Sequence, residues 1–151
     1  MVIHELTAAE CQDVLGRVSL GRLACCRGDQ PYVVPVFIYF NGDDQCLYGF
    51  STVGQKVDWM RSNPKVCVEV DEVGDQTNWT TVLVFGRFEE VKGSAGDDIA
   101  RHRAMNLFNQ RPDWWLPGAA KREGGSEHHT PVIYRIVIDR LSGRRAARPG
   151  A

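Results

Sequence analysis

A chain of 151 residues fits one domain, and its 43% apolar and 25% charged content is ordinary globular usage, which excludes a disordered chain or a collagen-like fibre. The 18 Lys and Arg against 19 Asp and Glu leave a net charge of -1, without the basic excess of a dedicated nucleic-acid binder. No apolar run approaches the roughly 18–20 residues that span a bilayer. The first five residues carry no secretory pattern, so the expected compartment is the cytoplasm.

The first helix is announced by Thr7-Ala8-Ala9-Glu10, a capping box in which Thr7 caps and Glu10 reaches back. Cys11, Val14, Leu15 and Val18 follow at i, i+3, i+4 and i+7, one apolar helical face bracketed by Gly16 and Gly21. Residues 19–26 read as a strand closed by the turn Arg27-Gly28-Asp29-Gln30. Residues 32–40 are rich in β-branched and aromatic side chains, Asn41-Gly42-Asp43-Asp44 breaks the run, and residues 46–50 return as the second arm of a hairpin. Pro35 cannot donate to a ladder and marks an edge or a bulge. A short helix fits residues 54–62, stopped by Asn63-Pro64.

Residues 66–70 alternate as a strand and residues 72–78 read as a polar turn. Residues 80–91 form another strand, in which Val82-Leu83-Val84-Phe85 is expected to be buried on both faces. After a flexible link at 92–96, Asp97 or Asp98 caps a helix to about Gln110, with Ala100, Ala104, Leu107 and Phe108 as its stripe. Residues 118–130 read as a mobile Gly-rich loop, 131–141 as the last strand, and 143–151 as a frayed tail. The expected fold is mainly β: a single domain over 1–151, a small antiparallel barrel of about six strands with peripheral helices. Cys11, Cys25, Cys26, Cys46 and Cys67 form no C-x-x-C pair and read as reduced thiols packed as small hydrophobes.

The stretch Ser51-Thr52-Val53-Gly54-Gln55-Lys56 holds the most chemistry. A strand ends in two hydroxyls, a glycine follows, and a helix begins with a lysine in its first turn. The first N–H groups of a helix lack internal partners and carry the positive end of its dipole, so this is a candidate anion cradle. On spacing alone a solvated loop that only caps a helix remains the alternative, because neither a Walker nor a Rossmann pattern is present. Trp79, Trp114 and Trp115 are candidate walls for a flat ring, with core or interface packing as the competing role. Trp59 reads as packing. His128-His129 has no ligand spacing around it, and no metal is expected.

Three blocks carry a family resemblance: Gly21-Arg22-Leu23-Ala24 with Pro31-Tyr32-Val33-Val34-Pro35-Val36; Ser51, Lys56 and Asn63-Pro64; and Trp79-Thr80-Thr81-Val82 with Gly86-Arg87-Phe88-Glu89-Glu90-Val91. Together they resemble the pyridoxamine 5′-phosphate oxidase-related flavoproteins, in the branch that includes nitroimidazole-reductase-like proteins. The resemblance implies a split β-barrel homodimer with FMN in two clefts at the subunit interface. It assigns the flavin phosphate to Ser51, Thr52 and Lys56, with Gln55 adjacent, and backbone contact with the ring to Val34, Pro35 and Val36. Of the candidate aromatic walls, Trp79 and Trp115 join these as expected cofactor-binding residues on their ring chemistry. The implied function is an oxidoreductase, reduced by a nicotinamide donor such as NAD(P)H and passing electrons to a small acceptor or to oxygen; the Trp114-Trp115 pair favours a planar, weakly polar acceptor. No catalytic acid or base is named. Two departures bear on substrate: Gln55 stands where an arginine usually precedes the lysine, and no Arg-x-His pair lies near 134–140. Oxidation of a vitamin B6 phosphate is therefore not expected. The competing readings are a non-catalytic flavin store or sensor, and a split-barrel protein using deazaflavin or haem.

Overall fold

The structure, a computed structural model, describes residues 1–111, 115–116, 123–124 and 130–149. The elements run β1 (Val2–Glu5), α1 (Ala8–Arg17), β2 (Leu20–Arg27), β3 (Gln30–Asn41), β4 (Cys46–Thr52), α2 (Gln55–Ser62), β5 (Lys65–Asp75), β6 (Asn78–Glu90), α3 (Asp98–Asn109) and β7 (Pro131–Ala147). Seven strands form one sheet in the order β1-β7-β4-β3-β2-β5-β6, and a further β6–β7 pairing closes it into a barrel. All pairings are antiparallel. This is a split barrel, the fold class expected.

The barrel forms because each strand sends alternate side chains inward. Leu23, Ile38, Leu47, Val68, Val70, Val82, Val84 and Ile136 fill the interior, joined by Val57 and Met60 of α2. The capping box starts α1 as read: the Glu10 N–H donates to Thr7 Oγ1 at 3.3 Å and the Thr7 N–H donates to Glu10 Oε2 at 2.9 Å. Cys11, Val14 and Leu15 then bury against the core. α3 covers the outside of β3 and β4, where Phe108 packs on Tyr39 and Phe50. A polar clamp fixes that helix: Arg103 Nη1 lies 3.1 Å from Asp44 Oδ2, which also accepts from Tyr48 Oη at 2.5 Å. Burial and the Asp44 carboxylate together push the Tyr48 phenol up to about 12.

Four local expectations are corrected. The strand β1 adds a seventh strand to the six expected; all four of its residues are exposed, so no burial period marks it. The last strand does not end at 141: residues 143–147 pair with β1 on one side and β6 on the other. Gly143 there is no breaker but a close approach, since a Cβ would lie 2.7 Å from Cys11 Sγ. The polar turn shrinks to the tip around Asp75, whose carboxylate accepts from the Thr77 N–H at 2.7 Å, and β5 continues through residues 72–75. Finally, Val82 and Val84 are buried but Leu83 and Phe85 are not, because one chain covers only the inner face of β6. The Arg140 guanidinium lies 4.1 Å above the Phe85 ring. The loop expected over 118–130 falls largely outside the described residues.

Candidate functional site

The barrel is split between β3 and β4. β3 pairs with β2 over its first part, from Arg27↔Gln30 to Leu20↔Phe37, but with β4 only over Ile38↔Gly49 to Asn41↔Cys46. Past Gly49, β4 keeps β7 as its neighbour, with Phe50↔Ile133, Ser51↔Val132 and Thr52↔Pro131. An antiparallel ladder turns the backbone groups of successive residues to alternate sides. The Ile38 N–H donates to Ser19 O at 2.8 Å, so Val34 and Val36 also turn their backbone groups toward β2. Val33, Pro35 and Phe37 therefore face the split. Opposite them, the same alternation directs the backbone of Phe50 and Thr52 into it. Of the three β3 residues expected to meet a ring, only Pro35 offers a backbone group there. Val33 and Phe37, which the sequence reading passed over, join it. Pro35 sits at an open edge, one of the two places its missing N–H allows.

β4 delivers Ser51 and Thr52 to the end of this split. They point to opposite faces of the strand. Ser51 is 4% exposed and its hydroxyl donates to Thr52 O at 3.2 Å, while Thr52 is half-buried on the outer face. Gly54 then opens α2 in extended conformation and, as a glycine, supplies no side-chain cap of its own. Gln55 is exposed and Lys56 half-buried in its first turn. α2 bridges the open end of the barrel. Trp59 packs on Tyr32 of β3 with ring centroids 5.5 Å apart, which is the packing role read for it. Asn63 Nδ2 donates to Cys26 O at 3.1 Å, and Arg61 in the last turn pairs with Glu90 at 2.5 Å. A cation at the last turn complements the helix dipole and leaves the first turn as the electropositive end.

The chain does not bring Trp79 to this place. Trp79 pairs with Ala146, at the other end of β7 from the Val132 that pairs with Ser51. It lines a separate outer-face cleft of about 290 Å³ with Thr81, Leu83, Ser142 and Arg144. Trp115 is 50% exposed, and Trp114 and His128-His129 lie outside the described residues.

The sequence pattern of the pyridoxamine 5′-phosphate oxidase family matches residues 7–145. The chain belongs to that family. Within it, the chain is 39% identical over 151 residues to an uncharacterised protein of Rhizobium meliloti (strain 1021), covering 97% of each. The solved structure of a FAD-binding protein from Mesorhizobium loti is likewise 39% identical, with a TM-score of 0.78 over 98% of this chain and 99% of that one. A Bacteroides thetaiotaomicron protein provisionally assigned to 5-nitroimidazole antibiotic resistance shares the fold, with a TM-score of 0.64 at 13% identity over 96% of this chain and 89% of that one.

Proposed function

We propose that this chain is a flavoprotein that holds the ribityl 5′-phosphate of its cofactor at the start of α2 and the ring along the split between β3 and β4. One observation carries this reading. Two strand edges that would ordinarily pair stay apart, and the gap ends at the glycine-led start of α2, which bears Lys56. The fit is chemical as well as spatial. Backbone groups of Val33, Pro35 and Phe37 suit the polar edge of a flat ring, and helical N–H groups with Thr52 and Lys56 suit a phosphate dianion. The FAD-binding relative at 39% identity supports the same cofactor class. FMN is the smallest flavin that meets these contacts, and its phosphate is retained inside FAD.

The working unit in this reading is a homodimer. Leu20, Val33 and Phe37 are 42%, 63% and 52% exposed on the outer face of β2 and β3, beside Pro35. An apolar sheet face of this kind next to a cofactor groove favours a second copy, whose Trp79 cleft then supplies the wall that one chain lacks. When bound, the flavin supplies two-electron transfer from a nicotinamide donor to a small planar acceptor. The protein orients the ring, neutralises the phosphate and excludes water. The absorption spectrum of the purified protein, before and after loading with flavin, tests this reading. Flavin bands that bleach with NAD(P)H and return on adding a quinone or nitroheterocycle are expected. Bands without turnover indicate a flavin store or sensor; a deazaflavin or haem spectrum, or no flavin uptake, overturns the proposal.

A further inference from the structure

A second cleft, of about 520 Å³, opens between the last turn of α2, the end of β6, α3 and the first residues of β7. Among the described residues that line it, none belongs to the 51–56 cradle. Val91 and Val132 are its most buried lining residues, and the Val91 N–H donates to Ile133 O at 2.9 Å, which ties this part of the cleft to β7. Met105 of α3 and Pro131 extend the apolar lining. Phe50 also borders it, with its own ring packed on Phe108. The volume suits a small ligand of about two fused rings.

Charge gathers at the edge of this apolar surface. The lining holds three cations, Arg61, Lys92 and Arg101, against one carboxylate, Glu90, on a chain whose net charge is -1. Arg61 and Glu90 cancel: Nη2 and Nε of Arg61 lie 2.5 and 3.0 Å from Glu90 Oε1. Lys92 and Arg101 are exposed, and among the described residues no ion pair joins either of them to an acid. Arg101 stands one helical turn from Asp97 and Asp98, yet its Nη1 lies beside Gly93 at the cleft, 3.9 Å from where a Cβ there would be. The Asp97 carboxylate accepts from the Lys92 N–H at 3.0 Å, so the Lys92 backbone is spent and its ammonium remains for a ligand. Asp97 and Asp98 at the start of α3 oppose a phosphate dianion, whereas two side-chain cations suffice for one negative charge. We propose that this cleft is a binding site, distinct from the flavin groove, for an amphipathic monoanion. Its flat apolar body lies against Val91, Met105 and Pro131, and its carboxylate or sulfonate is held between Lys92 and Arg101. The site stands independently of the flavin reading.

Fluorescence titration of the purified full chain at pH 7 with naphthalene-2-sulfonate and, in parallel, with neutral 2-naphthol tests it. The two probes share a ring system and differ in charge. The wild type is expected to bind the sulfonate at least about tenfold more tightly, the scale of one charge-assisted hydrogen bond. Lys92→Gln/Arg101→Gln is expected to erase that preference and leave the naphthol affinity within about twofold. Met105→Trp fills the cleft from α3 and weakens both probes. Lys65→Gln removes an exposed cation at the start of β5 and changes neither. Saturating FMN leaves the sulfonate affinity within about twofold. No preference for the sulfonate in the wild type, an equal loss in Lys65→Gln, an unaffected Met105→Trp, or displacement of the sulfonate by FMN overturns the proposal. Failure of the chain to bind FMN overturns the flavin reading and leaves this one standing.

Discussion

Replacing Lys56 by alanine separates a phosphate-binding lysine from one that merely begins a helix. Lys56 is the second residue of α2, and Gly54 provides no side-chain cap. A cation in the first turn opposes the helix dipole by about 0.3–1 kcal/mol. Alanine is at least as good a helix former as lysine. Urea unfolding of the unliganded variant, measured alongside, separates a change of stability from a change of binding. Binding should move much further. A hydrogen bond to a charged partner contributes about 1.5–3 kcal/mol, so FMN affinity should fall roughly 10- to 100-fold. Riboflavin has the same ring and no phosphate, and its weaker binding should not change. Lys56→Arg should keep most of the FMN affinity. The assay is fluorescence titration of the deflavinated protein with FMN and riboflavin in parallel. Equal losses for both ligands would refute the reasoning by showing a damaged groove, and an unchanged FMN affinity would reduce Lys56 to a helix-end residue.

Other perturbations test the scaffold. Thr7→Ala removes the cap of α1 and should cost about 1 kcal/mol in urea unfolding while leaving flavin affinity unchanged. A Cβ at Gly49 would overlap the buried Tyr134 ring, so Gly49→Ala should destabilise by about 3 kcal/mol or more and give little soluble protein. The Tyr48 phenol is raised from 10.0 to about 12, so its contribution is complete below pH 10 and lost as pH rises toward 12. Urea midpoints should drop over that window, and Tyr48→Phe should flatten the drop; a wild-type curve that stays level to pH 12 contradicts the burial argument. Phe37→Asp places a charge in the exposed apolar row; if the proposed homodimer forms, light scattering should give a dimer for the wild type and a monomer for the variant, and a monomeric wild type overturns the dimer reading.

The sequence was legible where two local signals agreed. Thr7 and Glu10 marked a helix start, and the period of Cys11, Val14 and Leu15 marked its buried face, so α1 could be read to within a residue or two. It was illegible where pairing was non-local. Ser142-Gly143-Arg144-Arg145 has the composition of a loose tail, yet it is strand because β1 and β6 both pair with it. Leu83 and Phe85 look like core residues in an apolar run, but which face of β6 is covered depends on neighbours distant in sequence. The cradle follows the same division. Hydroxyls, glycine and lysine at the end of a strand are a local pattern. That Val33, Pro35 and Phe37 turn their backbones into a gap follows only from the register of β3 on both sides.

That register also explains why the gap stays open. Extending the β3–β4 pairing beyond Ile38↔Gly49 would oppose Phe37 to Phe50 and then Pro35 to Thr52. The alternation makes Pro35↔Thr52 a hydrogen-bonded pair, which requires an N–H that proline does not have. The zipper therefore gains nothing beyond one further pair, and β4 stays with β7 instead. α2 occupies the mouth this leaves, with Val57 and Met60 in the core and Trp59 braced on Tyr32. The backbone of Val33, Pro35 and Phe37 on one edge and of Thr52 on the other faces this mouth, where the start of α2 adds a positive potential. Pro35 thus acts on the site through an absence. It interrupts a ladder that the flanking sequence would otherwise complete, and the groove is what the interruption leaves.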